Sequence, residues 1–100
     1  MTQLGLGFAL TIDQRFQTFA SEHPEVYDEL VRLAREAKSR GVSKIGIRLL
    51  WERVRWSMLV EKGNDEFAMN DHFHSRMVRL IMEREPDLAG MFETRELRAD

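Results

Sequence analysis

A helical pattern with clear start and stop signals between Pro24 and Gly41 is the feature that most constrains the fold. Proline suits the first position of a helix, and glycine suits the position just after its end. Acidic residues crowd the first turns and basic residues the last, as the helix macrodipole favours. The sequence therefore predicts an amphipathic helix here. Its apolar face is formed by Val26, Tyr27, Leu30, Leu33, Ala34 and Ala37.

Similar start and stop signals predict other helices on both sides of this one. Each is bounded by residues that cap helices or stop them. The expected helices are one that follows the Thr11/Gln14 capping box and stops near His23, one from a Ser43 cap to about Lys62, one from Asp71 to Arg84 behind an Asn70 cap, and a short one from Asp87 to Leu97.

The helix expected after Ser43 carries two apolar stripes, which is typical of a central helix. One stripe consists of Ile47, Leu50, Trp51, Val54 and Met58, and the other of Leu49, Trp56 and Val60. The two tryptophans are five residues apart and therefore lie on different sides of the helix. We expect one in the core and the other under a neighbouring helix or at a dimer interface.

These elements predict a mainly α-helical fold, a compact single domain of four to five helices. A length of 100 residues suits one domain, with residues 11–100 forming it and residues 1–10, which include Gly5 and Gly7, forming a flexible arm. The turn signal Gly63-Asn64-Asp65 allows a short hairpin near 61–69. A hairpin there would make the domain resemble a helix-turn-helix or winged-helix protein.

Several function classes lack their sequence signals. The chain has no cysteine, and its His72 and His74 diverge if they lie on a helix, so no metal and no cofactor is expected. No catalytic motif is present, so we expect no enzyme. The N-terminal apolar patch lacks a basic region, and no apolar run reaches the roughly 20 residues that span a bilayer. We expect a cytoplasmic protein that does not bind membranes.

The charge distribution suggests an anionic partner. Residues 32–55 contain eight basic and two acidic residues, a net charge of +6 in a chain whose overall charge is −2. The helix expected at 71–84 would be the recognition helix of a helix-turn-helix unit, with the basic block contacting phosphates. The candidate nucleic-acid-binding residues are Arg35, Lys38, Arg40, Lys44, Arg48, Asn70, His72, Ser75, Arg76 and Arg79.

The same block has a second explanation. Glu52 has helix-neighbour spacing to both Arg48 and Arg55, so part of the positive charge is neutralised within the chain. Two tryptophans and an overall negative charge also suit a protein-interaction module, because tryptophan is frequent at binding hot spots. Its partner would be an acidic surface of a host protein or a second copy of the chain.

From about Phe16 to Leu97 the chain resembles a family of small uncharacterised phage and prophage proteins. The resemblance rests on HPEVYDELVRLAREAKSRG at 23–41, GIRLLWERVRW at 46–56 and NDHFHSRMVRLIMEREPDLAGMFETREL at 70–97. It implies a mobile-element context in a host cell and no known activity. The leading hypothesis is a small phage-type protein that binds double-stranded DNA in a regulatory role. The alternative is a non-enzymatic module that binds a host protein or forms a homodimer.

Overall fold

The computed structural model describes residues 11–64 and 68–92, and it confirms the mainly helical fold. Its helices are α1 (Ile12–Glu22), α2 (Pro24–Ser39), α3 (Ile47–Trp56) and α4 (His74–Arg84). A π-helical turn, Ser57–Glu61, continues α3. Single 3₁₀ turns, Asp71–Phe73 and Pro86–Leu88, precede and follow α4. The expected arm at residues 1–10 lies outside the described residues.

The predicted boundaries of the first two helices are confirmed. The Thr11 hydroxyl accepts a hydrogen bond from the Gln14 backbone amide at 3.1 Å, and the Gln14 side chain accepts one from the Thr11 amide at 2.9 Å. Gly41, with φ of 92°, ends α2, since a residue with a Cβ rarely adopts this conformation. The amide of Val42 then donates to the carbonyl of Ala37, which closes a Schellman motif.

The start of α3 differs from the prediction. Gly46, rather than Ser43, is the residue that precedes the helix. Ile45 is buried and its backbone pairs in parallel with Phe92, with its amide donating to the Met91 carbonyl at 2.8 Å. This pairing requires extended backbone, so a contact between distant parts of the chain overrides the local capping signal.

The end of the domain also differs from the prediction. In place of a helix from Asp87 to Leu97, one 3₁₀ turn is followed by a turn at 89–91 and the paired residue Phe92. Residues 93–97 lie outside the described residues. The expected anchors Leu88, Met91 and Phe92 are all buried, and an irregular path lets all three face inward.

The hairpin expected near 61–69 is not formed by the residues described there. Glu61 closes the π-helical turn, and residues 62–64 and 68–70 carry no strand. The helix predicted from Asp71 begins with a 3₁₀ turn, behind the expected cap at Asn70, and ends at Arg84 before Pro86 as predicted. No winged-helix hairpin is therefore present in this part of the described chain.

An aromatic cluster joins α1, α3 and α4 at the centre of the domain. Trp51 is fully buried, with ring centroids 4.9 Å from His74 and 6.3 Å from Phe19. Phe73 lies 5.4 Å from Phe16 and 5.2 Å from Phe19. These distances suit edge-on and tilted aromatic packing, which stabilises a core beyond simple burial. The first predicted stripe of α3 therefore faces the core.

Candidate interaction surface

Three of the predicted phosphate-binding residues contact the segment 85–92 of the chain itself. One nitrogen of Arg35 donates at 2.9 Å to both Glu85 and Asp87. The ammonium groups of Lys38 and Lys44 donate to the backbone carbonyls of Asp87, at 2.7 Å, and Gly90, at 3.0 Å. This part of the basic block holds segment 85–92 against α2 and the residues that follow it.

The other two predicted residues of the basic block lie far apart, one just after α2 and one in α3. Arg40 is exposed at the end of α2, where its Nε lies 3.4 Å from a carboxylate oxygen of Glu36. Arg48 is exposed in the first turn of α3. Arg55, which has the helix-neighbour spacing to Glu52 noted in the sequence, also bonds Asp71 at 2.5 Å and the Met69 carbonyl at 3.0 Å.

The predicted recognition residues around α4 do not form one row. The Asn70 side chain accepts a hydrogen bond from the His72 amide at 2.8 Å and therefore acts as a cap. Arg76 is mostly buried and pairs with Asp13 of α1. His72 and Arg79 are exposed, whereas Ser75 is half-buried. The structure gives Asn70 and Arg76 structural roles, and the nucleic-acid role of the set stays a prediction.

Burial and charge alter the pKa of groups around segment 85–92 and that of His74 in the core. The Arg35 guanidinium lowers the pKa of Glu85 and that of Asp87. Burial, followed by the hydrogen bond to Glu85, raises the pKa of Tyr27 to about 12. Burial against Trp51 lowers the pKa of His74, which favours the neutral ring near neutral pH.

Acid is expected to destabilise the protein partly through the Arg35 contacts. Because the folded pKa values of Glu85 and Asp87 are depressed, their stabilising effect is present above their ordinary values of 4.5 and 3.8. It is lost as the pH falls through the lower folded values. Urea unfolding followed by circular dichroism should therefore show a smaller acid-induced loss of stability for Arg35→Gln than for the wild type.

Arg15→Gln is the matched control for this experiment, since it removes the same charge from an exposed position on α1. Its loss of stability between neutral pH and about pH 3 should equal that of the wild type, because Arg15 is not among the groups that lower the pKa of Glu85 or Asp87. An Arg35→Gln variant with an unchanged acid response would contradict the assignment.

Three large apolar side chains form a line on the outer face of α3 and of the π-helical turn that continues it. Leu49 is 65% exposed, Trp56 is 56% exposed and Val60 is 55% exposed. Their spacing of seven and four residues keeps them on one side of the helix. We call these three residues the apolar strip. The sequence identified these residues as a stripe of a helix expected to be central. That expectation was wrong on this face, because the stripe is exposed.

A groove between α2 and α3 adjoins the apolar strip. It has a volume of about 470 Å³. Its apolar lining is Leu33, Ala37, Val42, Ile45, Leu49 and Leu50. Its charged lining is Arg32, Arg40, Arg53 and Glu36, a net positive rim. Leu49 belongs to both the groove and the strip, so the two form one continuous surface.

Glu36 only partly neutralises the rim of the groove. Arg32 pairs closely with Glu29, at 2.6 Å, and reaches Glu36 only at 3.5 Å. Arg40 lies 3.4 Å from Glu36, a long distance for a charged hydrogen bond. Arg53 lies 3.7 Å from Glu61 at the other end of α3. Arg40 and Arg53, which lie 3.4 Å and 3.7 Å from their carboxylates, thus keep donor groups that suit carboxylates of a bound partner.

Neither a metal site nor a membrane-spanning helix is found among the described residues. Across residues 11–64 and 68–92, no group of three or more His, Cys, Asp or Glu side chains is placed to hold a metal ion. Within the same residues, no helix is long and apolar enough to cross a membrane.

Comparison with known proteins gave no match. No family model, no curated protein and no solved structure matches this chain. The resemblance to phage proteins stays a prediction, and the function must be inferred from the surface itself.

Proposed function

We propose that this protein is a non-enzymatic protein-interaction module whose contact surface is the apolar strip and the adjoining groove. The observation that carries the proposal is the alignment of Leu49, Trp56 and Val60, each more than half exposed, on one helix face. Contiguous exposed apolar side chains with a polar rim are typical of protein-binding surfaces. Trp and Arg are also the residue types most often found at binding hot spots.

The charges support a protein partner more than they support DNA. Arg35, Lys38 and Lys44 already donate to segment 85–92, and phosphate contacts would compete with those bonds. The weakly paired Arg40 and Arg53 instead border an apolar groove, a combination that suits an apolar side chain flanked by carboxylates. A host protein is one candidate partner, and a second copy of the chain is another.

The discriminating experiment compares DNA binding with strip-dependent protein binding. Fluorescence anisotropy with random duplex DNA is expected to show no binding that falls steeply with salt, the signature of phosphate contacts. A stoichiometric protein complex that survives moderate salt is expected to weaken at least about tenfold in Trp56→Asp, which corresponds to about 1.4 kcal/mol.

Glu22→Ala is the control, since Glu22 is exposed on α1 and lies in neither the strip nor the groove. Its complex should match that of the wild type. Tight, steeply salt-dependent binding of plain duplex DNA, unchanged in Trp56→Asp, would overturn this proposal and favour the DNA-binding hypothesis.

A further inference from the structure

We infer that the partner at this surface is a second copy of the chain, with Trp56 of each copy inserted into the groove of the other. The inference rests on the proposed function and names its partner. Projecting side chain and groove are both present on one protein, so a single surface supplies both halves of the interface. Such self-complementary surfaces are what two-fold symmetric dimers require.

The positions of Trp56 and the groove along α3 make reciprocal insertion possible. Leu49 and Arg53 line the groove, and Trp56 lies one turn beyond Arg53 on the same outer face. A two-fold axis passing between Trp56 and the groove therefore carries each indole onto the groove of the other copy. It also runs the two α3 helices in opposite directions. The groove, at about 470 Å³, is large enough for an indole ring.

The charges around Trp56 and those around the groove are complementary. Trp56 is flanked along the helix by Glu52 and Glu61, whose side chains are each 50% exposed. The groove is bordered by Arg53 and by Arg40, which is 75% exposed and lies 3.4 Å from Glu36. Docking brings the carboxylates of one copy towards the guanidinium groups of the other, where additional charged hydrogen bonds can form.

Arg53 adds a contact for the inserted indole. It borders the groove and is half-exposed, so its guanidinium can stack on the Trp56 ring of the second copy. The strip and the groove involve few side chains, whereas a standard-size protein interface buries about 800 Å² per partner. The expected assembly is therefore a reversible dimer.

Sedimentation equilibrium of the full chain from low to high micromolar concentration tests the inference. The wild type should show a monomer–dimer equilibrium. Trp56→Ala should weaken dimerisation at least tenfold, as loss of a central anchor does. Arg40→Glu should weaken it several-fold by repelling Glu52 and Glu61. Glu22→Ala, remote from the surface, should dimerise like the wild type.

Acrylamide quenching of tryptophan fluorescence gives an independent readout. Trp51 is fully buried, so most quenching comes from Trp56. Quenching of the wild type should decrease as the protein concentration rises, and quenching of Arg40→Glu should decrease less. Circular dichroism verifies that each variant is folded, and Val60→Asp replaces Trp56→Ala if that variant is not.

Two outcomes would overturn the inference. One is a wild type that remains monomeric at every concentration, and the other is a dimer that both Trp56→Ala and Val60→Asp leave intact. If the wild type is monomeric and its complex with another protein is lost in Trp56→Asp, a second copy is refuted as the partner. The proposed function would still hold in that case. An intact dimer in both strip variants, with no strip-dependent complex of any kind, would refute both.

Discussion

Trp51→Ala is expected to lower the free energy of unfolding by about 3–5 kcal/mol, the usual cost of truncating a large buried aromatic side chain. Trp51 is fully buried between Phe19 and His74. Its indole Nε1 has no hydrogen-bond partner among the described residues, so the loss comes from packing and from the cavity left behind. The domain has only 100 residues, and a total stability of about 5–15 kcal/mol is typical.

The matched control is Trp56→Ala, five residues further along the same chain. Trp56 is more than half exposed, so its truncation should change the free energy of unfolding by no more than about 0.5 kcal/mol. Urea unfolding followed by circular dichroism measures both variants. The protein concentration must be low, because dimerisation would itself stabilise the wild type. Equal losses for the two variants would contradict the burial assigned to them.

Leu88→Ala is expected to cost about 2–5 kcal/mol, since Leu88 is fully buried and anchors segment 85–92. Losing this anchor should also loosen the pairing of Ile45 with Phe92. Hydrogen exchange provides a second readout. The Ile45 amide, which donates to the Met91 carbonyl, should exchange faster in the variant than in the wild type.

Leu49→Ala makes the same chemical change at the most exposed position of the apolar strip. It should leave the unfolding free energy within about 0.5 kcal/mol of the wild type and weaken partner binding. If instead Leu49→Ala were the destabilising variant, α3 would be packed on both sides and the proposed surface would be wrong.

Features that depend on neighbouring residues could be predicted from the sequence, whereas features that depend on distant residues could not. The capping box at Thr11, the end of α2 at Gly41 and the end of α4 before Pro86 were all predicted, because each depends on neighbouring residues. The start of α3 was placed at Ser43 rather than Gly46, since the extended Ile45 depends on Phe92, distant in the chain.

The candidate site was predictable only in its parts. The sequence identified Leu49, Trp56 and Val60 as a stripe of α3 and the basic block as an unusual concentration of charge. It did not indicate that Arg35 would face Glu85 and Asp87, because those contacts join residues about 50 positions apart. The sequence therefore identified the apolar stripe and the concentration of charge, but it did not show that the stripe is exposed.

The sequence by itself determined where most helices lie and which of their faces are apolar, because helix caps, stop residues and the 3.6-residue period act between close neighbours. Only the tertiary structure decided which tryptophan is buried and which basic residues already have partners. Those outcomes depend on which distant segments meet. Phe19 and His74 meet at Trp51, while the described residues leave Trp56 more than half exposed.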